Sequence, residues 1–238
     1  MGNSLGDRVS SLGEKINAAC LRSGRDPKEI SLMAVSKFQN LSAVEEAWKA
    51  GIRLFGESRV QEGIDKFACF RQKYGGSEIH FVGNLQRNKA KKAVEFFDCI
   101  QSVDRESLID ELGALTLGRE RPLMILFEYH TGEESKAGFP DLDGLYRAAE
   151  RVFSFPSLMP LGLMTIAPFS TDEQVIRNAF RSCRLAAEEL RKRFPEKLFP
   201  LEQAWPCISM GMSGDFEIAI EEGSTLLRIG TTIFGVRQ

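Results

Sequence analysis

A chain of 238 residues with 43% apolar and 27% charged residues has the composition of a globular protein able to bury a sizeable core. Its 31 basic and 33 acidic residues leave a formal net charge of −2, which gives no general attraction to nucleic acid or to an anionic membrane, so any anion site must be local. The five cysteines (Cys20, Cys69, Cys99, Cys183 and Cys207) are odd in number, widely spaced and without a C-x-x-C pair; they suggest neither a disulfide framework nor a zinc site and read as reduced core thiols. The opening MGNSLGDRVS has no apolar signal core, Gly6 stands where myristoylation needs Ser or Thr, and no window approaches a membrane span, so a cytoplasmic protein is expected.

Leu5, Leu12, Ile16 and Ala19 recur among charged residues and predict an amphipathic N-terminal helix. From there, short apolar runs alternate with longer segments of helical period. The runs fall at 30–36, 53–56, 79–83, 98–103, 122–129, 158–166, 206–211 and 226–230. The clearest helix is 172–194, where Val175, Ile176, Ala179, Phe180, Cys183, Ala187, Leu190 and Phe194 recur along one face and Ser170 with Glu173 forms a candidate capping box. Eight strands alternating with helices imply parallel pairing and right-handed crossovers, and the length suits a (β/α)8 barrel of roughly 250 residues. An open doubly wound sheet is the alternative. It is disfavoured because no G-x-G-x-x-G follows the first strand and no G-x-x-x-x-G-K-[ST] occurs. No repeat or Pro/Gly/Ser-rich linker divides the chain, so one barrel domain is expected to span 1–238.

In such a barrel the active face lies at the carboxyl ends of the strands. The first run, LMAVSKF, ends there in Lys37. Lysine is seldom buried without a partner, and an amine set against apolar walls near other positive charge can act as a neutral nucleophile toward an aldehyde. The plain alternative is a lysine leading the chain into solvent. Strand seven ends in SMGMSGDF, read as a glycine turn and a helix capped by Ser213, and strand eight ends in RIGTTIFG, where Gly230 precedes a short helical turn at Thr231. Loops after strands seven and eight commonly hold phosphate in these barrels, and here they offer Ser213, Gly214, Gly230, Thr231 and Thr232. An aldehyde carrying a phosphate, pyridoxal phosphate, would satisfy both ends of the site. Alternation along LLRIG places Arg228 on the face of Gly230, either as a core arginine paired with an acid or beneath the cofactor, where a guanidinium would keep the pyridine nitrogen unprotonated.

AVSKF, FGESRVQE, IHFVGNLQRNK, IQSVDRESL, GEESKAGF, GLMTIAP, SMGMSGDFEIAIEEGST and RIGTTIFGVR together resemble the pyridoxal phosphate homeostasis proteins, single-domain relatives of the barrel half of alanine racemase. The resemblance runs from about Leu32 to the C-terminus. It implies a barrel carrying pyridoxal phosphate as a Schiff base on Lys37, with Ser213, Gly214, Gly230 and Thr231 at the phosphate, and Arg228, Asn84, Met210 and Lys136 as further cofactor contacts. It also implies no established turnover, a monomer, and apo forms of pyridoxal phosphate enzymes as possible recipients. Ser58 and Tyr129 stand where the family usually has Asn, so hydrogen bonds made there must be replaced or carried by water.

The main rival is a racemase or lyase using the same cofactor. Racemisation needs a base on each face of the α-carbon, and His80, Tyr129 and His130 are the only His or Tyr residues near predicted strand ends; His80, inside its strand, reads as a core residue. Lys136, after strand five, is either a solvated lysine or a second amine that stabilises or transiently accepts the cofactor. A hydrolase is excluded because MGMSGD is not G-x-S-x-G and no histidine follows it, and two distant histidines make no metal site. QRNKAKK (86–92) lacks interleaved aromatics and reads as a solvated basic face able to dock an acidic protein, not as a nucleic-acid site.

Overall fold

The computed structural model describes residues 4–132, 137–195 and 207–235. Eight parallel strands close into a barrel in chain order: β1 (Ser31–Val35), β2 (Leu54–Glu57), β3 (Glu78–Phe81), β4 (Cys99–Val103), β5 (Leu123–Glu128), β6 (Leu158–Met164), β7 (Cys207–Ser209) and β8 (Leu226–Ile229). Each lies within or one residue beyond its apolar run, and closure between β1 and β8 sets Met33 beside Arg228 and rules out the open sheet. The helices are α1 (Leu5–Arg22), α2 (Leu41–Lys49), α3 (Val60–Lys73), α4 (Ala90–Phe96), α5 (Glu106–Leu115), α6 (Leu142–Val152), α7 (Glu173–Arg193), α8 (Phe216–Glu221) and α9 (Thr231–Phe234).

The additional N-terminal helix is real and begins with a capping box: the Asp7 amide donates to Ser4 Oγ at 3.1 Å and the Ser4 amide to the Asp7 carboxylate at 2.9 Å. Its buried stripe of Leu5, Leu12, Ile16, Ala19 and Cys20 packs on the shell, and Arg8 Nε donates to the Ile233 carbonyl at 2.7 Å, tying α1 to α9. Three local expectations fail. α7 is capped by Asp172, whose carboxylate accepts the Gln174 amide, while Ser170 accepts the Asp172 amide one turn earlier, so no Ser170–Glu173 box forms. Val175, expected on the buried face of α7, is also exposed in its first turn, and not all cysteines are in the core, since Cys69 lies exposed on α3.

Outward-facing strand residues such as Ala34, Phe55, Ile79 and Ile100 pack under the helices, whereas the interior holds a smaller cluster of Cys99, Leu126 and Met164. Two interior glycines permit this closure. A Cβ on Gly162 would lie 1.8 Å from the Cys207 carbonyl oxygen, and one on Gly56 would lie 2.6 Å from Met33 Sδ, so β6 can approach β7 and Met33 can fill the space before β2 only without side chains there.

Candidate active site

At the carboxyl ends of the strands lies a cavity of ≈ 320 Å³ whose rim includes Lys37 after β1, Ser58 after β2, Ser213 and Gly214 after β7, and Gly230 and Thr231 after β8, with Arg228 beneath. Lys37 follows Val35 with inward parity, but it stands exposed at the mouth instead of being walled by apolar side chains. Its amine forms no hydrogen bond or ion pair with another described residue. The chain around it is held firmly. The Ser36 amide donates to the Gly56 carbonyl at 3.0 Å, and Phe38 adopts φ 63°, a left-handed conformation that costs a bulky residue about 1–3 kcal/mol. The Phe38 amide is held by the Glu62 carboxylate, and the Arg59 guanidinium covers its ring at 4.6 Å.

Across the cavity, the amides of Ser213, Gly214 and Thr231 donate to no acceptor among the described residues. Ser213 does not cap α8, as the sequence suggests; Asp215 holds that position, and its carboxylate accepts the Met212 amide at 2.5 Å. Instead Ser213 Oγ accepts the Thr232 amide at 3.3 Å and joins the two loops. Burial pushes the Asp215 carboxyl up, opposed by the Met212 bond and by Arg228.

Arg228 is buried in the barrel interior, and the alternative of a carboxylate-paired core arginine fails. Its guanidinium donates to the Ser209 carbonyl at 2.6 Å, Ser209 Oγ at 2.9 Å and the Thr165 carbonyl at 2.8 Å, all neutral acceptors. Burial pushes its pKa down, with Asp215 and Glu128 opposing through space. Among its described lining residues the cavity thus has Lys37 and Arg228 and no carboxylate, a charge balance that suits an anion. Three amides and an amine without partners among the described residues, a hydroxyl and a floor guanidinium fit the donor set that pyridoxal phosphate requires.

Beneath Arg228 a polar column crosses the barrel. Ser209 Oγ donates to Gln101 Oε1 at 2.7 Å, Gln101 Nε2 lies 2.9 Å from His80 Nδ1, and His80 Nε2 lies 3.3 Å from Glu78. A guanidinium only donates, so Ser209 must pass its proton to Gln101 Oε1 and Gln101 must donate to His80 Nδ1. The imidazole therefore carries its proton on Nε2, toward Glu78. His80 is the satisfied core residue its strand position suggests.

A second cavity, ≈ 290 Å³, adjoins the first and shares Val82 and Ile166 with it. Glu128, at the inward-facing end of β5, lines it together with Asn84, His130 and Thr131. Burial pushes the Glu128 carboxyl up to about 7, the charge of Asp104 adding to the rise and Arg228 opposing it. Sequence reading missed Glu128, although its parity with Met124 and Leu126 was a usable signal.

Of the other expected residues, Asn84 is exposed and lines the second cavity, not the first. Met210 is fully buried between barrel and shell, because Ser209 faces inward and alternation turns Met210 outward; Met212 lines the first cavity instead. Lys136 lies outside the described residues. Ser58 lines the first cavity, whereas Tyr129 lines the second and a groove beside α7, so the Tyr departure leaves the first cavity untouched. Along the basic face Arg87 pairs with Glu111 at 3.8 Å and Lys92 donates to Gln61 at 3.0 Å.

Residues 15–238 match the family described as alanine racemase, N-terminal domain. The chain is 38% identical over 239 residues to the pyridoxal phosphate homeostasis protein of Escherichia coli K12, covering 99% of this chain and 98% of that protein. It is 35% identical over 232 residues to that of Aquifex aeolicus, covering 98% of each. Among solved structures, PipY of Synechococcus elongatus PCC7942 with PLP bound superposes with a TM-score of 0.82 at 34% identity, covering 98% of this chain and 100% of that one. Alanine racemase from E. faecalis shares the fold alone: TM-score 0.67 at 15% identity, over 95% of this chain and 58% of that one. The chain belongs to the family of pyridoxal phosphate homeostasis proteins, built on the alanine racemase N-terminal barrel.

Proposed function

We propose that this protein holds pyridoxal 5′-phosphate in the first cavity, covalently and reversibly through Lys37, and serves vitamin B6 homeostasis by storing and handing on the cofactor without turning over amino acids. The observation that carries the reading is the meeting, in one cavity with no carboxylate among its described lining residues, of a lysine amine and three backbone amides that have no partner among the described residues. The PLP bound to PipY and the name carried by the bacterial relatives support it. Bound there, pyridoxal phosphate would supply an aldehyde for a neutral lysine amine. Ser213, Gly214, Gly230 and Thr231 would hold its phosphate, and Arg228 would offer its ring a donor that cannot give up its proton. Apo forms of cofactor-dependent enzymes are the proposed recipients, with the protein acting as a cytoplasmic monomer and one barrel forming the functional unit.

The alternative is a racemase or lyase. The described residues lining the first cavity include no Tyr or His, which favours storage. Borohydride trapping of cofactor-loaded protein, followed by peptide mapping, tests the tether: the adduct should lie on Lys37 and vanish in Lys37→Ala. An adduct on any other lysine would overturn the assignment, and steady racemisation or elimination of alanine or serine would make the protein an enzyme.

A further inference from the structure

The two adjoining cavities differ in charge. Among the described lining residues, the first has Lys37 and Arg228 without a carboxylate, and the second has Glu128 without a Lys or Arg. Glu128 forms no hydrogen bond through its carboxylate with another described residue. Thr131 adds a second acceptor. The Thr165 hydroxyl donates to the Tyr129 carbonyl at 2.8 Å, so the 2.7 Å contact between Thr131 Oγ1 and Thr165 Oγ1 must use the Thr131 proton, leaving Thr131 lone pairs for the cavity. A carboxylate and a hydroxyl committed to accepting suit a ligand group that only donates. A primary ammonium has three donors and no acceptor.

We propose that the second cavity binds a small primary amine, whose ammonium pairs with the Glu128 carboxylate and Thr131 Oγ1. The amine then stands beside Val82 and Ile166, the walls shared with the first cavity. This deepens the storage reading and rests on it: an amine delivered there is what would draw the aldehyde away from Lys37.

The test uses cofactor-free protein titrated with ethylammonium chloride, so that only non-covalent binding is read. Backbone amide shifts should concentrate at residues 82–84 and 128–132. The Glu128 carboxyl resonance should titrate at lower pH when the amine is present, because the cation binds the ionised form. The charges facing that carboxyl, Asp104 after β4, Arg228 on β8 and His130 after β5, are the same in both arms of the comparison. Glu128→Gln should weaken binding about tenfold or more. Tetramethylammonium, which lacks N–H donors, should produce no such response. An unchanged Glu128 titration, equal binding by the variant, or an equal response to tetramethylammonium would each overturn the proposal, and the titration in the unsubstituted protein decides the matter if the variant fails to fold. Borohydride trapping on Lys37 in the unsubstituted protein reports the first cavity separately.

Discussion

Lys66 Nζ lies 2.7 Å from the carbonyl oxygen of Ser36, so a buried lysine holds the chain one residue before the exposed Lys37. The same ammonium donates to Glu57 Oε1 at 2.7 Å and Glu62 Oε1 at 3.1 Å, and Ser36 Oγ donates to Glu57 Oε1 at 2.7 Å. Because Glu62 also holds the Phe38 amide, residues 36 and 38 are both gripped from behind while Lys37 faces the cavity. Burial pushes the Glu57 carboxyl up, with Lys66 pulling it back. Lys66→Met would leave Glu57 buried without its cation and should cost about 3–5 kcal/mol of stability in urea unfolding, with slower trapping of cofactor on Lys37. A loss below about 1 kcal/mol would mean that the network does not hold this turn.

How much of this was legible before the structure follows from what each feature depends on. The strands and Lys37 were readable because an apolar run and the residue after it are local, and the β7 and β8 loops because glycine turns mark themselves. Lys66 was not, since its helical spacing says nothing of which strand end it reaches. The Ser209–Gln101 contact joins residues 108 positions apart and exists only once the barrel closes. Ser213 misled because a serine before a helix resembles a cap, while its partner, Thr232, belongs to another loop.

Gln101 is the one residue that joins both halves of the interior column, accepting from Ser209 and donating to His80. Gln101→Leu keeps the volume roughly constant but strands a buried hydroxyl and a buried ring nitrogen, which should cost about 2–4 kcal/mol in total. The imidazole tautomer gives an independent check. Nitrogen-15 shifts should report the proton on His80 Nε2 in the natural protein and a mixture in the variant; a mixture already present in the natural protein would break the donor chain inferred from Arg228.

Ser213→Ala removes the acceptor of the Thr232 amide and one hydroxyl of the proposed phosphate cradle. Fold stability should fall by only about 0.5–1.5 kcal/mol, because the loops are solvent-accessible, whereas retention of pyridoxal phosphate during dialysis should weaken several-fold. Unchanged retention would move the phosphate away from this loop.

Glu128 should make stability depend on pH in a direction opposite to that of a salt-bridged acid. Its carboxyl titrates at about 7 in the fold because burial disfavours its charge, against about 4.3 in the unfolded chain. Between those values the folded state holds the extra proton, so its contribution is fully present below the unfolded value and is lost as pH rises through 7. The loss amounts to about 2–3 kcal/mol after allowance for partial exposure. Glu128→Gln, neutral at every pH, should match the natural protein near pH ~4 and exceed it by that amount above pH ~8 in urea unfolding. Parallel stability curves across this range would show that Asp104 and burial do not raise the Glu128 carboxyl, and the carboxylate would then be fully ionised at neutral pH.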